Sequence, residues 1–173
     1  FALIISNENY DLADKVHYAI ADGESFRNYC EKTLGIPKKN IEYISDASYF
    51  QMKAKIELFC SLLKEYGSSA RAIVYYSGHG IPNYATQEAY FLAKDGIPTS
   101  MQAVIPINEF YQELAAAGVN RIDVFLDCCF SGNAKSGNSI VSARGVAIKP
   151  RENAPLGNMV VLSACSGDET AFH

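Results

Sequence analysis

Four stretches of the chain are short, mainly apolar runs: "FALIIS" at its start, "AIVYYS" at 72–77, "IDVFLD" at 122–127 and "MVVLSA" at 159–164. Runs this short suit strands buried on both faces of a parallel sheet. Between them the apolar period lengthens to that of a helix. "SYFQMKAKIELFCSLLKEYG" puts Met52, Ile56, Phe59, Leu63 and Tyr66 on one face, opens with Ser48 and Gln51 at capping-box spacing and stops at Gly67. A second helix is expected from Asp14 to Leu34, with Val16, Ala19, Phe26, Cys30 and Leu34 along a stripe before Gly35. "INEFYQELAAAG" predicts a shorter third helix with Asn108 as its cap, and "IEYIS" after the turn "GIPKKN" completes a βαβαβ opening.

Strands alternating with helices imply a mostly parallel sheet with helices on both faces and right-handed crossovers. Ligands in such folds bind beyond the carboxyl ends of the strands. Two stretches at that edge carry reactive residue types: "YYSGHG" at 75–80 and "DVFLDCCFSG" at 123–132. Residues 131–158, rich in Ser, Gly, Asn and Pro, are too long for a mere connector and are expected to form a flexible loop.

Composition narrows the classes. A length of 173 residues with 49% hydrophobic content fits one domain around one large core. A net charge of -4, with no block of like charges, speaks against nucleic-acid and membrane partners, and no apolar run is long enough to span a bilayer. The chain opens on an apolar strand with no signal-peptide pattern. Its five cysteines, at 30, 60, 128, 129 and 165, lack the spacing of a disulfide framework, which predicts reduced thiols and a cytoplasmic location. There is no CxxC pair, and His17, His79 and His173 are not grouped at ligand spacing, so neither a metal nor a cofactor is expected.

The chemistry lies in the two strand ends. A cysteine becomes a good nucleophile when a nearby histidine takes its proton, and the same histidine can then protonate a leaving amine. The glycines flanking His79 allow a sharp turn, and Gly80 offers an unobstructed backbone N–H that, with the N–H of the nucleophile, could hold a tetrahedral oxyanion. Taken singly, a buried cysteine is more often a small hydrophobe and a strand-end histidine more often structural. Their occurrence at one edge favours acyl transfer from a peptide or amide.

With these two motifs, in this order and with the histidine 50 residues upstream, the chain resembles the caspase-like cysteine peptidases, nearest the metacaspase and bacterial orthocaspase branch. "ALIISNENY" matches the family's first strand and its exit, "AIADGESF" a helix carrying an acidic residue, and "VVLSACSGDETA" the later strand beside the substrate. The resemblance implies a caspase-like three-layer α/β/α sandwich with a mostly parallel central sheet. It implies that His79 is the general acid/base and Cys129 the nucleophile, with the N–H groups of Gly80 and Cys129 as oxyanion hole, while Cys128 packs away from the substrate. Asp22, Ser77 and Asp127 match positions lining the primary specificity pocket, with Ser163 and Ala164 on the strand beside it, which implies cleavage after Arg or Lys. For Asp22 and Asp127 an ordinary structural carboxylate remains the alternative.

Two departures matter. Calcium-dependent members carry acidic residues after the cysteine motif, but "FSGNAKSGNS" has none, so calcium dependence is not expected. The chain also ends at "DETAFH", where the family usually continues, so residues 1–173 are expected to be a caspase-like peptidase domain cut short at its C-terminal end. A C-terminal fragment of the same precursor is then an expected partner, beside peptide substrates with basic residues. Self-cleavage is expected within 131–158 after Arg144, Lys149, Arg151 or Lys135, unless those side chains simply solvate the loop. Rival readings are a clostripain-like peptidase and a catalytically silent caspase-fold interaction module.

Overall fold

A computed structural model of the chain describes residues 1–83, 85–128, 130 and 156–164. In chain order the elements are β1 (Ala2–Ser6), α1 (Ala19–Lys32), β2 (Ile41–Ser45), α2 (Tyr49–Tyr66), β3 (Arg71–Ser77), β4 (Gly80–Asn83), β5 (Glu88–Ile97), β6 (Gln102–Pro106), α3 (Ile107–Ala115), β7 (Arg121–Asp127) and β8 (Met159–Ser163). Five strands pair in the order β2-β1-β3-β7-β8, every pair parallel. The other three form an antiparallel sheet, β4-β5-β6.

Alternation along the strands divides the apolar side chains between two layers. Leu3 and Ile5 of β1, Val74 and Tyr76 of β3, and Val124 and Leu126 of β7 join the main core with α2 and α3. Ala2, Ile4 and Tyr75 point the other way, to a smaller cluster with Cys30 and Phe26 of α1. The chain is thus an α/β/α sandwich with a parallel central sheet.

The predicted α2 forms over the expected residues because its apolar stripe and its cap agree. Met52, Ile56, Phe59 and Leu63 are buried, each contributing roughly 1.5–3 kcal/mol, and the Ser48 N–H donates to Gln51 Oε1 at 2.9 Å, completing one half of the capping box. Tyr66, at the end of the same stripe, is half exposed and packs its ring against Phe1 with centroids 4.7 Å apart.

Four expectations need correction. α1 begins at Ala19, not Asp14, because Tyr18 adopts a left-handed conformation (φ 69°) and the first helical turn is capped from outside, by Glu8 Oε2 accepting the Ile20 N–H at 3.2 Å. Val16 is buried from the preceding loop, whereas Leu34 lies beyond the helix and is exposed. Asn108 does not cap α3. That helix starts at Ile107 directly after Pro106, whose lack of an N–H suits the junction of β6 and helix. β8 is not buried on both faces: among the described residues it lies at one edge of the parallel sheet, with Met159 inside and Val160 and Leu162 exposed. Residues 80–106, given no element by periodicity, fold into the antiparallel sheet, which packs on α2 and α3.

Candidate active site

β3 and β7 are neighbours, and their register pairs Ser77 with Asp127 at the carboxyl ends of both strands. The histidine motif leaves β3 there. His79 is 3% exposed and is held by the loop that follows β1 on one side and by β3 and β5 on the other. Its N–H donates to the Tyr10 hydroxyl at 2.8 Å, and the two rings pack with centroids 4.6 Å apart. Its carbonyl accepts from the Tyr76 hydroxyl at 2.8 Å and from the Leu92 N–H at 3.0 Å. The ring Nε2 lies 2.7 Å from the carbonyl oxygen of Asp14. A carbonyl can only accept, so this contact requires the proton on Nε2 and leaves the Nδ1 lone pair as the basic site of the neutral ring.

The β1 exit loop is itself anchored from β2. Asp46 accepts the Glu8 N–H at 2.8 Å, the Asn9 N–H at 2.9 Å and the Asn9 side-chain amide at 2.7 Å. Burial alone would raise the Asp46 pKa, but these donors, with Lys94 nearby, outweigh it and hold the carboxyl below its usual value. Asn7, fully buried, accepts the Ala47 N–H at 2.8 Å. Glu8 pairs with Lys15 at 2.7 Å, so the loop is tied at both of its ends.

A second cluster stands on the α1 side of the sheet. Ser77 Oγ donates to Asp127 Oδ2 at 3.3 Å and the Tyr75 hydroxyl reaches the same oxygen at 3.4 Å. Burial, then the negative charges of Asp127 and Asp22, push the Tyr75 hydroxyl pKa up. Asp22 sits in the first turn of α1, half buried. A cleft of about 390 Å³ opens here, lined by Tyr75, Phe125, Asp127, Leu162, Ser163 and Ala164. Three of the five residues expected at a specificity pocket therefore line one cleft, and Ser77 and Asp22 adjoin it through Asp127 and Tyr75.

Gly80 opens β4, opposite Phe91. Cys128 is completely buried in the main core. Cys129, Lys135, Arg144, Lys149 and Arg151 lie outside the described residues. Among the described residues no group of three or more His, Cys, Asp or Glu gathers as a metal would need, and no helix is long and apolar enough to cross a membrane.

Sequence reasoning missed Tyr10, Tyr75, Tyr76 and the Asp14 carbonyl. Tyrosines beside apolar runs read as core, and a backbone carbonyl leaves no trace in residue type.

The fold has relatives of known structure. A crystal structure of a Geobacter sulfurreducens protein matches with a TM-score of 0.57 and 23% sequence identity, covering 75% of this chain and 50% of that one. The chain thus spans half the length of that relative and shares its fold. No curated protein matches it. The family model described as the caspase domain matches residues 1–173, from the first strand through both motif segments, and by that match the chain belongs to the caspase-domain peptidases.

Proposed function

We propose that the chain is a cysteine endopeptidase cleaving after Arg or Lys, with Cys129 as nucleophile and His79 as general acid/base. The observation that carries this reading is the parallel register of Ser77 with Asp127: counting two residues on from each partner reaches His79 along one strand and Cys129 along the other. Strand alternation supports the choice between the two cysteines, since Cys128 is committed to the core face.

The chemistry follows from the tautomer. With Nε2–H on the Asp14 carbonyl, Nδ1 takes the Cys129 thiol proton. The thiolate attacks the scissile carbonyl carbon, and the N–H groups of Gly80 and Cys129 receive the oxyanion. Nδ1–H then protonates the leaving amine as the C–N bond breaks, giving a thioester. Water, deprotonated by the same nitrogen, hydrolyses the thioester and restores the thiol.

Basic specificity rests on the acidic cleft. Asp127 and Asp22 both bear on the buried Tyr75 hydroxyl, and a cation entering there would offset the cost of partly desolvating two carboxylates. Close charge pairs of this kind couple by about 1.5 to 7 kcal/mol. The loop basic residues Lys135, Arg144, Lys149 and Arg151 are candidate sites of self-cleavage by the same preference.

The test is cleavage of a peptide library with single-residue variants. Cys129→Ala and His79→Ala should be inactive, Cys128→Ala should keep most activity, and Asp22→Asn should lose on the order of tenfold on Arg peptides. A new N-terminus inside 136–152, absent in Cys129→Ala, would mark self-processing. Faster cleavage after Asp than after Arg would overturn the pocket, and an inactive Cys128→Ala would move the nucleophile by one residue.

A further inference from the structure

Both peptide groups of His79 are held by tyrosine hydroxyls from different segments. The His79 N–H donates to Tyr10 Oη at 2.8 Å and Tyr76 Oη–H donates to the His79 carbonyl at 2.8 Å. The two hydroxyls, one from the β1 exit loop and one from β3, thus hold the two sides of one residue.

Gly78 leaves the room that both hydroxyls need to reach His79. A Cβ there would stand 2.6 Å from Tyr10 Oη and 2.9 Å from Tyr76 Oη, inside contact distance of both. The Tyr10 ring also packs on the imidazole, and the loop that carries Tyr10 carries the Asp14 carbonyl that takes the imidazole Nε2–H.

We propose that Tyr10 and Tyr76 are positioning residues for the reaction, clamping the His79 peptide unit so that its ring stays against the Asp14 carbonyl with Nδ1 as the basic nitrogen. The inference rests on the reading of His79 as general acid/base. Neither tyrosine touches substrate. Each acts through the histidine, and since both hydroxyls hold the same residue, the two should not act additively.

The experiment compares wild type with Tyr10→Phe, Tyr76→Phe and the double variant, using kcat and KM on an Arg peptide together with 15N NMR of the histidine side chains at a pH where they are neutral. The His79 signal is identified by its loss in His79→Asn. Each single variant should lower kcat on the order of tenfold, about 1.4 kcal/mol, with KM within about twofold. The double variant should match the worse single. The NMR should show one Nε2–H tautomer in wild type and a mixture in the variants, a change that general loss of stability at unchanged folded fraction would not produce. If wild type cleaves and neither kcat nor tautomer moves in the variants, the clamp is refuted. If the tautomer mixes in the variants while wild type cleaves nothing, the clamp stands and the peptidase reading falls. If wild type is inactive and the tautomer does not move, both fall.

Discussion

At the scale of the residue, burial governs the three described cysteines. Cys30 and Cys128 are fully buried and Cys60 nearly so. Burial raises the Cys30 thiol pKa and pushes that of Cys60 up to about 11, which at pH 8 leaves roughly 0.1% of Cys60 as the reactive thiolate. Iodoacetamide at pH 8 should therefore spare Cys30, Cys60 and Cys128 in the folded protein and, on the proposed reading of Cys129 as nucleophile, alkylate Cys129. Peptide mapping by mass spectrometry reads this directly, and modification of Cys128 with Cys129 untouched would contradict it. His79 and the two adjacent cysteines are legible in the sequence because reactive side chains at a strand end stand out against apolar neighbours. The tyrosines around the histidine are not: Tyr10 reaches it only because a loop 69 residues away in sequence docks there, and Tyr76, three residues before it, reads as core.

At the scale of the element, α1 lies so close to β1 that Gly23 has no room for a side chain. A Cβ there would meet Ser6 Oγ at 1.8 Å and Ser6 Cβ at 2.9 Å. Gly23→Ala should destabilise the protein by about 1–3 kcal/mol through overpacking, more than the roughly 1 kcal/mol that alanine adds in helix propensity. Ser6 Oγ is buried and finds no hydrogen-bond partner among the described residues, so Ser6→Gly should recover part of the loss at little cost of its own. Urea midpoints of the two single variants and the double measure this, and a Gly23→Ala protein as stable as wild type would show that α1 can lift off β1. Elements with a strong internal signal, α2 above all, are legible within a residue. α1 is misjudged at its start because its cap is Glu8, from another segment. β5 is missed although Ala89–Ala93 form an apolar run of the kind read as strands elsewhere, whereas β4 and β6 are short, carry Pro82 and Pro106, and offer no period to read.

At the scale of the whole molecule, the layered α/β/α plan was readable from four apolar runs and the helices between them, whereas the second sheet and the exposed edge at β8 came from tertiary packing. The ties between segments also predict a pH response. The Asp46 carboxylate joins the end of β2 to the β1 exit loop, and its folded pKa is depressed. Stability from such a group is present above its unfolded pKa, near 4, and is lost as pH falls through the lower folded value. Asp46→Asn should thus be less stable than wild type at neutral pH, and the gap should close in acid. Thermal melts from pH 7 down to about pH 3 test this; a constant gap across that range would mean that the ion itself contributes nothing. The pairing of β3 with β7 has a temporal consequence. Between Ser77 and Asp127 the chain builds an entire antiparallel sheet and a helix before it returns to lie parallel beside the histidine strand. Such a non-local parallel contact is among the slowest to form. On the proposed reading, a newly made chain is harmless while its parts are still finding one another, and it becomes a protease only when the sheet has closed.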